Sequence, residues 1–258
     1  MNNMYTKELN LLKEVLPKLY QDTLKQTKDI KFKGPEDMVT SSDLYIESNL
    51  IKAILEVFPK DTFLSEEFHS KAELKNRTWI IDPIDGTSNY GVSLNLFVMQ
   101  VALYDRDDIA LSVIYYPSEE KLYYAIKGQG AYLNDKRYYV DSLFERQNDM
   151  LSMVGYTIRS TEKKYYTILL NHAIDKHFKL RMLGSIGLEL MYVSTGVFTV
   201  FYSNIKNLWD LAPGVLLAKE AQAFLFNEKG LEYQLGDSHL FITKTNKLKN
   251  EILEVISK

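Results

Sequence analysis

The stretch Trp79–Tyr90, WIIDPIDGTSNY, constrains this chain more than any other. A run suited to a buried strand, Thr78-Trp79-Ile80-Ile81, leads directly into Asp82, and Asp85 follows three positions later. A fold that buries this strand must find partners for two carboxylates at its end, because an unpaired ionised carboxylate is costly to remove from water. Pro83 stiffens the exit, Gly86 permits a sharp turn, and Thr87-Ser88-Asn89 suits a helix start. Two carboxylates at the carboxyl end of a strand can converge on a hard cation, and the first N–H groups of the next helix can hold an anion. A cation beside an anion cradle suits phosphoryl transfer better than acyl transfer. Taken alone, however, a DxxD pair reads more readily as two aspartates capping a turn.

The rest of the chain narrows the choice. With 258 residues, 46% of them hydrophobic, there is material for one large domain or two closely packed ones. The net charge of −3 is spread over interspersed acids and bases, which excludes the clustered basic face of a nucleic-acid binder. Absence of cysteine excludes disulfides, thiolate metal sites and cysteine nucleophiles. The first residues carry acids and no apolar run, and no stretch approaches the roughly 18 apolar residues of a membrane span. A soluble cytoplasmic protein without a membrane partner is the expectation.

Apolar spacing predicts helices over residues 4–28, with Pro17 kinking or shortening the first, and over 43–58, stopped by Pro59. A short apolar segment, Thr62-Phe63-Leu64, precedes Glu66-Glu67. Strands are expected at 78–81, 97–104, 109–116 and 121–126, with polar breaks between the last three that suit hairpins, and Lys127–Lys136 closing the meander. Beyond it, strand-like pieces (151–155, 178–182, 197–202, 223–226, 240–243) alternate with helical ones (161–173, 186–194, 210–221, 247–256). Strands first and alternation later indicate a layered α/β architecture with a boundary near 140–148 and a site shared between the halves.

Other acids change the reading of the DxxD pair. Glu66-Glu67 follows a short strand, Asp210 in LWDLAPG opens a helix, and Asp43 in DMVTSSD opens another. Acids beside strongly apolar strands usually have a cation or a donor as partner. Taken in order, DMVTSSD, FLSEEF, WIIDPIDGTSNY, KGQGAYLND, RMLGSIGLE and LWDLAPGVLLAKEA resemble the inositol monophosphatase family of magnesium-dependent, lithium-sensitive phosphatases over nearly the whole chain.

The resemblance implies an alternating α-β-α-β-α sandwich of the inositol monophosphatase and fructose-1,6-bisphosphatase type. Residues 1–145 would form an α+β subdomain with most metal ligands, and 146–258 an α/β subdomain contributing Asp210 and the substrate pocket. It also implies two or three magnesium ions per site and a homodimer. The first ion would be held by Glu67, Asp82 and the carbonyl of Ile84, the second by Asp82, Asp85 and Asp210. Gly86 and Thr87 would offer backbone N–H groups to the phosphate. A water oriented by Glu67 and the Thr87 hydroxyl would be the nucleophile, with Thr87 held in turn by Asp43. Asp85, Asp210, Ser185, Ile186 and Ser203 would complete the surroundings of the substrate.

Departures from the family pattern fall on the alcohol side. Ser203 stands where a substrate-contacting glutamate is usual, Ile186 where alanine is usual, Ser65 where glycine precedes the two glutamates, and EAQA replaces EAGG at 220–223. None of these removes an expected metal ligand. The expected activity is hydrolysis of a small inositol-phosphate-like, sugar or polyol monoester. NADP or 3′-nucleotide and fructose-1,6-bisphosphate phosphatases are the alternatives within the superfamily, and a regulatory protein-binding module is the alternative outside enzymology. Lys33 reads as a loop charge rather than a site lysine, and His69 as a surface residue; His172, His177 and His239 show no ligand spacing.

Overall fold

A computed structural model of the chain describes residues 4–34, 37–140, 149–154 and 163–257. In chain order its elements are α1 (Thr6–Thr23), β1 (Ile30–Gly34), β2 (Asp37–Thr40), α2 (Ser41–Val57), β3 (Thr62–Ser65), β4 (Thr78–Asp85), α3 (Thr87–Gly91), β5 (Val98–Asp105), β6 (Asp108–Tyr116), β7 (Lys121–Ile126), β8 (Gly130–Leu133) and β9 (Lys136–Tyr138). There follow β10 (Met150–Val154), α4 (Lys164–Asp175), β11 (Lys179–Arg181), α5 (Ile186–Ser194), β12 (Val200–Ser203), α6 (Leu208–Glu220), β13 (Phe224–Phe226), β14 (Leu240–Thr243) and α7 (Asn246–Ile256).

The strands build two large sheets and one hairpin. A seven-stranded sheet runs in order β3-β4-β5-β6-β7-β8-β9, antiparallel except for the β3–β4 pair. A five-stranded mixed sheet runs β11-β10-β12-β14-β13, and β1 pairs with β2 alone. Side chains alternate across a strand, so each sheet offers two faces. On the first sheet, Trp79, Ile81, Met99 and Val101 pack with Leu12, Leu16, Ile46 and Leu50 of α1 and α2. On its opposite face, Ile80, Val98 and Ala102 pack with Leu188, Met191, Ala212 and Leu216 of α5 and α6.

The same helix pair covers the second sheet. Ile186, Leu190, Val193, Leu211 and Val215 meet Phe201, Leu240 and Ile242. The outer face of that sheet (Leu151, Met153, Val200, Tyr202, Phe241) takes Leu169 of α4 and Ile252 of α7. The layers therefore read helix, sheet, helix, sheet, helix, as expected from the sequence. Both faces of α5 and α6 are buried, which is why these helices are apolar nearly all round.

Several boundaries differ from the sequence-based expectation for physical reasons. The first helix ends at Thr23 and keeps Pro17 inside it, because Leu12, Leu16 and Leu19 are anchored in the core. The second begins at Ser41, where Thr40 accepts from the Ser42 N–H and the Asp43 side chain accepts from the Thr40 N–H. Hairpin β1–β2 and the short strands β8 and β9 were not expected; hydrogen bonding along the meander, rather than apolar periodicity, produces the latter two. The expected boundary at 140–148, the Gly155 strand end and the 161–162 helix start lie outside the described residues.

Where α5 crosses α6, a Cβ on Gly214 would stand 2.4 Å from Cβ of Leu190. Gly214→Val should therefore push the two middle-layer helices apart. Overpacking of this kind costs about 1–3 kcal/mol, and thermal denaturation should register roughly 2–4 °C for each kcal/mol in a chain of this size. An unchanged Tm would show that the crossing is not tightly packed.

Candidate metal and phosphate site

β4 carries the first two acids, and a bulge decides where they point. Residues three apart on a regular strand face opposite sides of a sheet. Here Asp82 pairs with Gln100 and Asp85 with Val98, so three steps on β4 oppose two on β5. The extra residue resets the alternation. Both carboxylates consequently face α5 and α6, while Ile84 joins the core on the α1–α2 side. Gly86 then turns the chain with φ +95°, and a Cβ there would meet Leu96 O and Ser185 Cβ at 2.9 Å, so the turn requires glycine.

α5 and α6 complete the site from the second half of the chain. Asp85 accepts from the hydroxyl of Ser185, from Ile186 N–H at 3.1 Å and from Gly187 N–H at 2.6 Å, so it caps the start of α5. Asp210, in the first turn of α6, accepts from Asn207 at 3.1 Å. One carboxylate oxygen each from Asp82, Asp85 and Asp210 lies within 4.8 Å of the others. A cavity of about 190 Å³ opens above them, lined by Met38, Glu66, Ile84, Gly86, Thr87, Ser88 and Gly184 as well as the three aspartates. Among the described residues, no lysine or arginine lines it.

Residues expected from the sequence divide into three groups. Asp82, Ile84, Asp85, Gly86, Thr87 and Asp210 line the cavity together. Asp43, Ser185 and Ile186 stand behind it: Asp43 accepts from the Thr87 hydroxyl at 3.2 Å, and the other two bind Asp85. Glu67 and Ser203 are not among the lining residues. Ser203 is buried at the end of β12, its hydroxyl accepting from Ile205 N–H at 3.1 Å. The side chain of Lys33 lies outside those described.

Of the two adjacent glutamates, the cavity presents the one that the sequence reading did not assign to the metal. Glu66, not Glu67, lines the cavity and adds its charge to Asp82. The reason lies in Glu47, a fully buried acid on α2 that the sequence reading passed over. Glu47 accepts from Ser65 Oγ, from Glu67 N–H at 3.0 Å and from Phe68 N–H at 2.9 Å. Those bonds hold the turn after β3 by its Glu67–Phe68 backbone. A carboxylate one helical turn beyond Asp43 was the available signal. Gln100, Asn89, Gly184 and Glu189 were likewise missed, the last joining Ser152 Oγ to Leu183 N–H behind the cavity.

Electrostatics explain what this cluster lacks. Burial, then the charges of Glu66, Asp85 and Asp210, raise the pKa of Asp82 well above the usual carboxylate range. Burial raises Asp85 to about 6 against the opposing bonds from α5, and burial with the Asp85 charge raises Asp210 to about 7. Asp82 Oδ1 is buried without a hydrogen-bond partner among the described residues. An all-oxygen donor set with mutual repulsion and an orphaned carboxylate oxygen fits a hard divalent cation.

The sign of the pH effect follows. These carboxyls bind protons more tightly folded than unfolded, so their stabilising contribution is complete below the ordinary carboxylate pKa. It is lost as pH rises through about 6 for Asp85 and about 7 for Asp210. In chelator, the Tm should fall from pH 5 to pH 8, and fall less in Asp210→Asn. Added magnesium should restore more at pH 8 than at pH 5. Parallel pH profiles for the two proteins would contradict this account.

Comparison with known proteins agrees with the geometry. The model of the inositol monophosphatase family matches residues 4–258. Inositol monophosphatase 1 of Solanum lycopersicum is 31% identical over 237 residues, covering 90% of this chain and 86% of the relative. The crystal structure of the extragenic suppressor protein suhB from Bartonella henselae superposes with a TM-score of 0.83 at 25% identity, over 98% of this chain and 99% of that one. A structure described as an IMPase/NADP phosphatase complexed with Mg²⁺ and phosphate shares the fold, with a TM-score of 0.75 at 22% identity over 96% and 92% of the two chains. The chain belongs to the inositol monophosphatase family, a family of phosphoric monoester hydrolases.

Proposed function

We propose that this protein hydrolyses a small phosphate monoester using magnesium held by Asp82, Asp85, Asp210, Glu66 and the carbonyl of Ile84. The observation that carries this reading is the convergence of three aspartate oxygens within 4.8 Å, with Asp82 Oδ1 buried and unpartnered. Bound magnesium would supply Lewis-acid stabilisation of the phosphoryl oxygens and lower the pKa of water. The family relationship and the magnesium and phosphate named for the solved neighbour support the same choice of ion.

The chain's own residues supply the rest. The Thr87 hydroxyl has Asp43 Oδ1 at 3.2 Å and Ile84 O at 2.9 Å as acceptors. With its hydrogen committed to one of them, the Thr87 oxygen remains an acceptor for the attacking water. Glu66 shares that task as base, in the role the sequence reading gave to Glu67. Gly86 and Thr87 direct backbone N–H groups toward the phosphoryl oxygens at the start of α3. Water oxygen bonds to phosphorus as the ester P–O bond breaks; one hydrogen of the water stays with the phosphate, and the other, taken by Glu66, returns through solvent to the departing alkoxide. No side-chain nucleophile and no phosphoenzyme are required.

With the phosphate group at the aspartates, the alcohol would extend past Met38, Ser88 and Gly184, which line the same cavity. A sugar or polyol phosphate is the preferred class. Purified protein should release phosphate from at least one of inositol 1-phosphate, 2-glycerophosphate, fructose 1,6-bisphosphate, 3′,5′-ADP and NADP, only with magnesium, and be inhibited by lithium. Asp82→Asn should lose at least about a hundredfold, the scale of a lost charge-stabilising group. Silence across the panel, or a fully active Asp82→Asn, would end this reading. Within the same assay, Glu66→Gln should cause a loss of similar size and Glu67→Gln a much smaller one; the reverse order would return the role to Glu67.

A further inference from the structure

Gln100 sits directly across from Asp82 in the β4–β5 ladder, fully buried in a strand whose neighbours are apolar. Its Nε2 donates to Asp82 Oδ2 at 3.2 Å and toward the main-chain oxygen of Asp210 at 3.4 Å. Both neighbours are acceptors, which fixes the amide with its NH₂ group toward them. Its Oε1 has no hydrogen-bond partner among the described residues and lies against α5, where a Cβ on Gly187 would stand only 2.6 Å away. Its contribution to stability is mixed: the amide leaves its own Oε1 buried without a partner, while its NH₂ group supplies the donor to Asp82 Oδ2.

What the amide achieves is geometric. It holds Oδ2 of Asp82 and leaves Oδ1, the orphaned oxygen, uncommitted and able to accept a cation. It also ties the first turn of α6 to β5, so that Asp210 and Asp82 keep their separation although they come from opposite halves of the chain. A neutral donor does this without adding a positive charge that would compete with the ion.

We propose that Gln100 is a positioning residue for cation binding, acting through Asp82 and the start of α6. The inference rests on the magnesium reading of the site. Outer hydrogen-bond partners of metal ligands typically contribute about 10- to 100-fold in metal affinity or activity. The test is calorimetric titration of Mn²⁺ and Mg²⁺ into chelator-treated wild type, Gln100→Met and Gln100→Leu, with Tm of each metal-free protein and the magnesium dependence of phosphate release.

Support would be about 10- to 100-fold weaker Mn²⁺ binding in both variants, a matching rise in half-saturating magnesium, and recovery of kcat at high magnesium, in metal-free proteins that still unfold cooperatively. A merely structural glutamine would lower the metal-free Tm and leave affinity unchanged, which would overturn the proposal. Equal affinity in wild type and variants would overturn it while leaving the phosphatase reading intact. Failure of wild type itself to bind either ion would overturn both.

Discussion

Repulsion among buried carboxylates is the constraint on which this architecture turns. Asp82, Asp85 and Asp210 stand close enough to share one ion, and Glu66 adds a further charge at the rim. Among the described residues, nothing cationic in the lining relieves them. Such a cluster is held together only by structure that resists its dispersal. The seven-stranded sheet holds Asp82 and Asp85, the buried helix pair holds Asp210, and α5 grips Asp85 with its first N–H groups. Packing energy from four apolar clusters is thus set against local charge, and in the proposed function a divalent cation would convert that opposition into binding affinity.

The middle helical layer explains how two halves of a chain form one site. α5 and α6 are shared by both sheets, so the residues at their starts are positioned by two cores at once. Asn89 reinforces the junction, donating to Leu96 O and Leu183 O at 2.7 Å each. Glu220, at the far end of α6, accepts from Gly128 and Gly130 N–H and pins that helix to the meander. The turn that enters β8 thereby helps set where Asp210 lies.

Much of this was legible in the residues. The long helices and the central strands follow from apolar periodicity, because burial of Leu12, Ile46, Trp79 or Leu190 leaves few alternatives, whereas the order of the layers came from the family resemblance. The acids at strand and helix ends could be read as a site, since their neighbours are strongly apolar. What periodicity could not convey was which of two adjacent glutamates turns inward. That depends on backbone hydrogen bonds to Glu47, twenty residues away in sequence. Gln100 was hidden for a related reason: in a string such as VMQVAL a single polar residue carries no period, and only its partner across the ladder gives it meaning. The Ser203 and Ile186 departures were visible, but their effect depends on depth: Ser203 is turned into the protein and Ile186 offers its N–H to Asp85.

The bulge in β4 has an implication for how such a protein can change over time. Because one surplus residue between Asp82 and Asp85 is what brings both side chains to the same surface, the spacing there is a matter of parity. Single substitutions elsewhere around the cavity leave that count undisturbed. Loss or gain of one residue at Pro83–Ile84 would instead turn Asp85 toward the outer helices in a single step. In this segment, evolution is free to edit letters but not to change the length of the word.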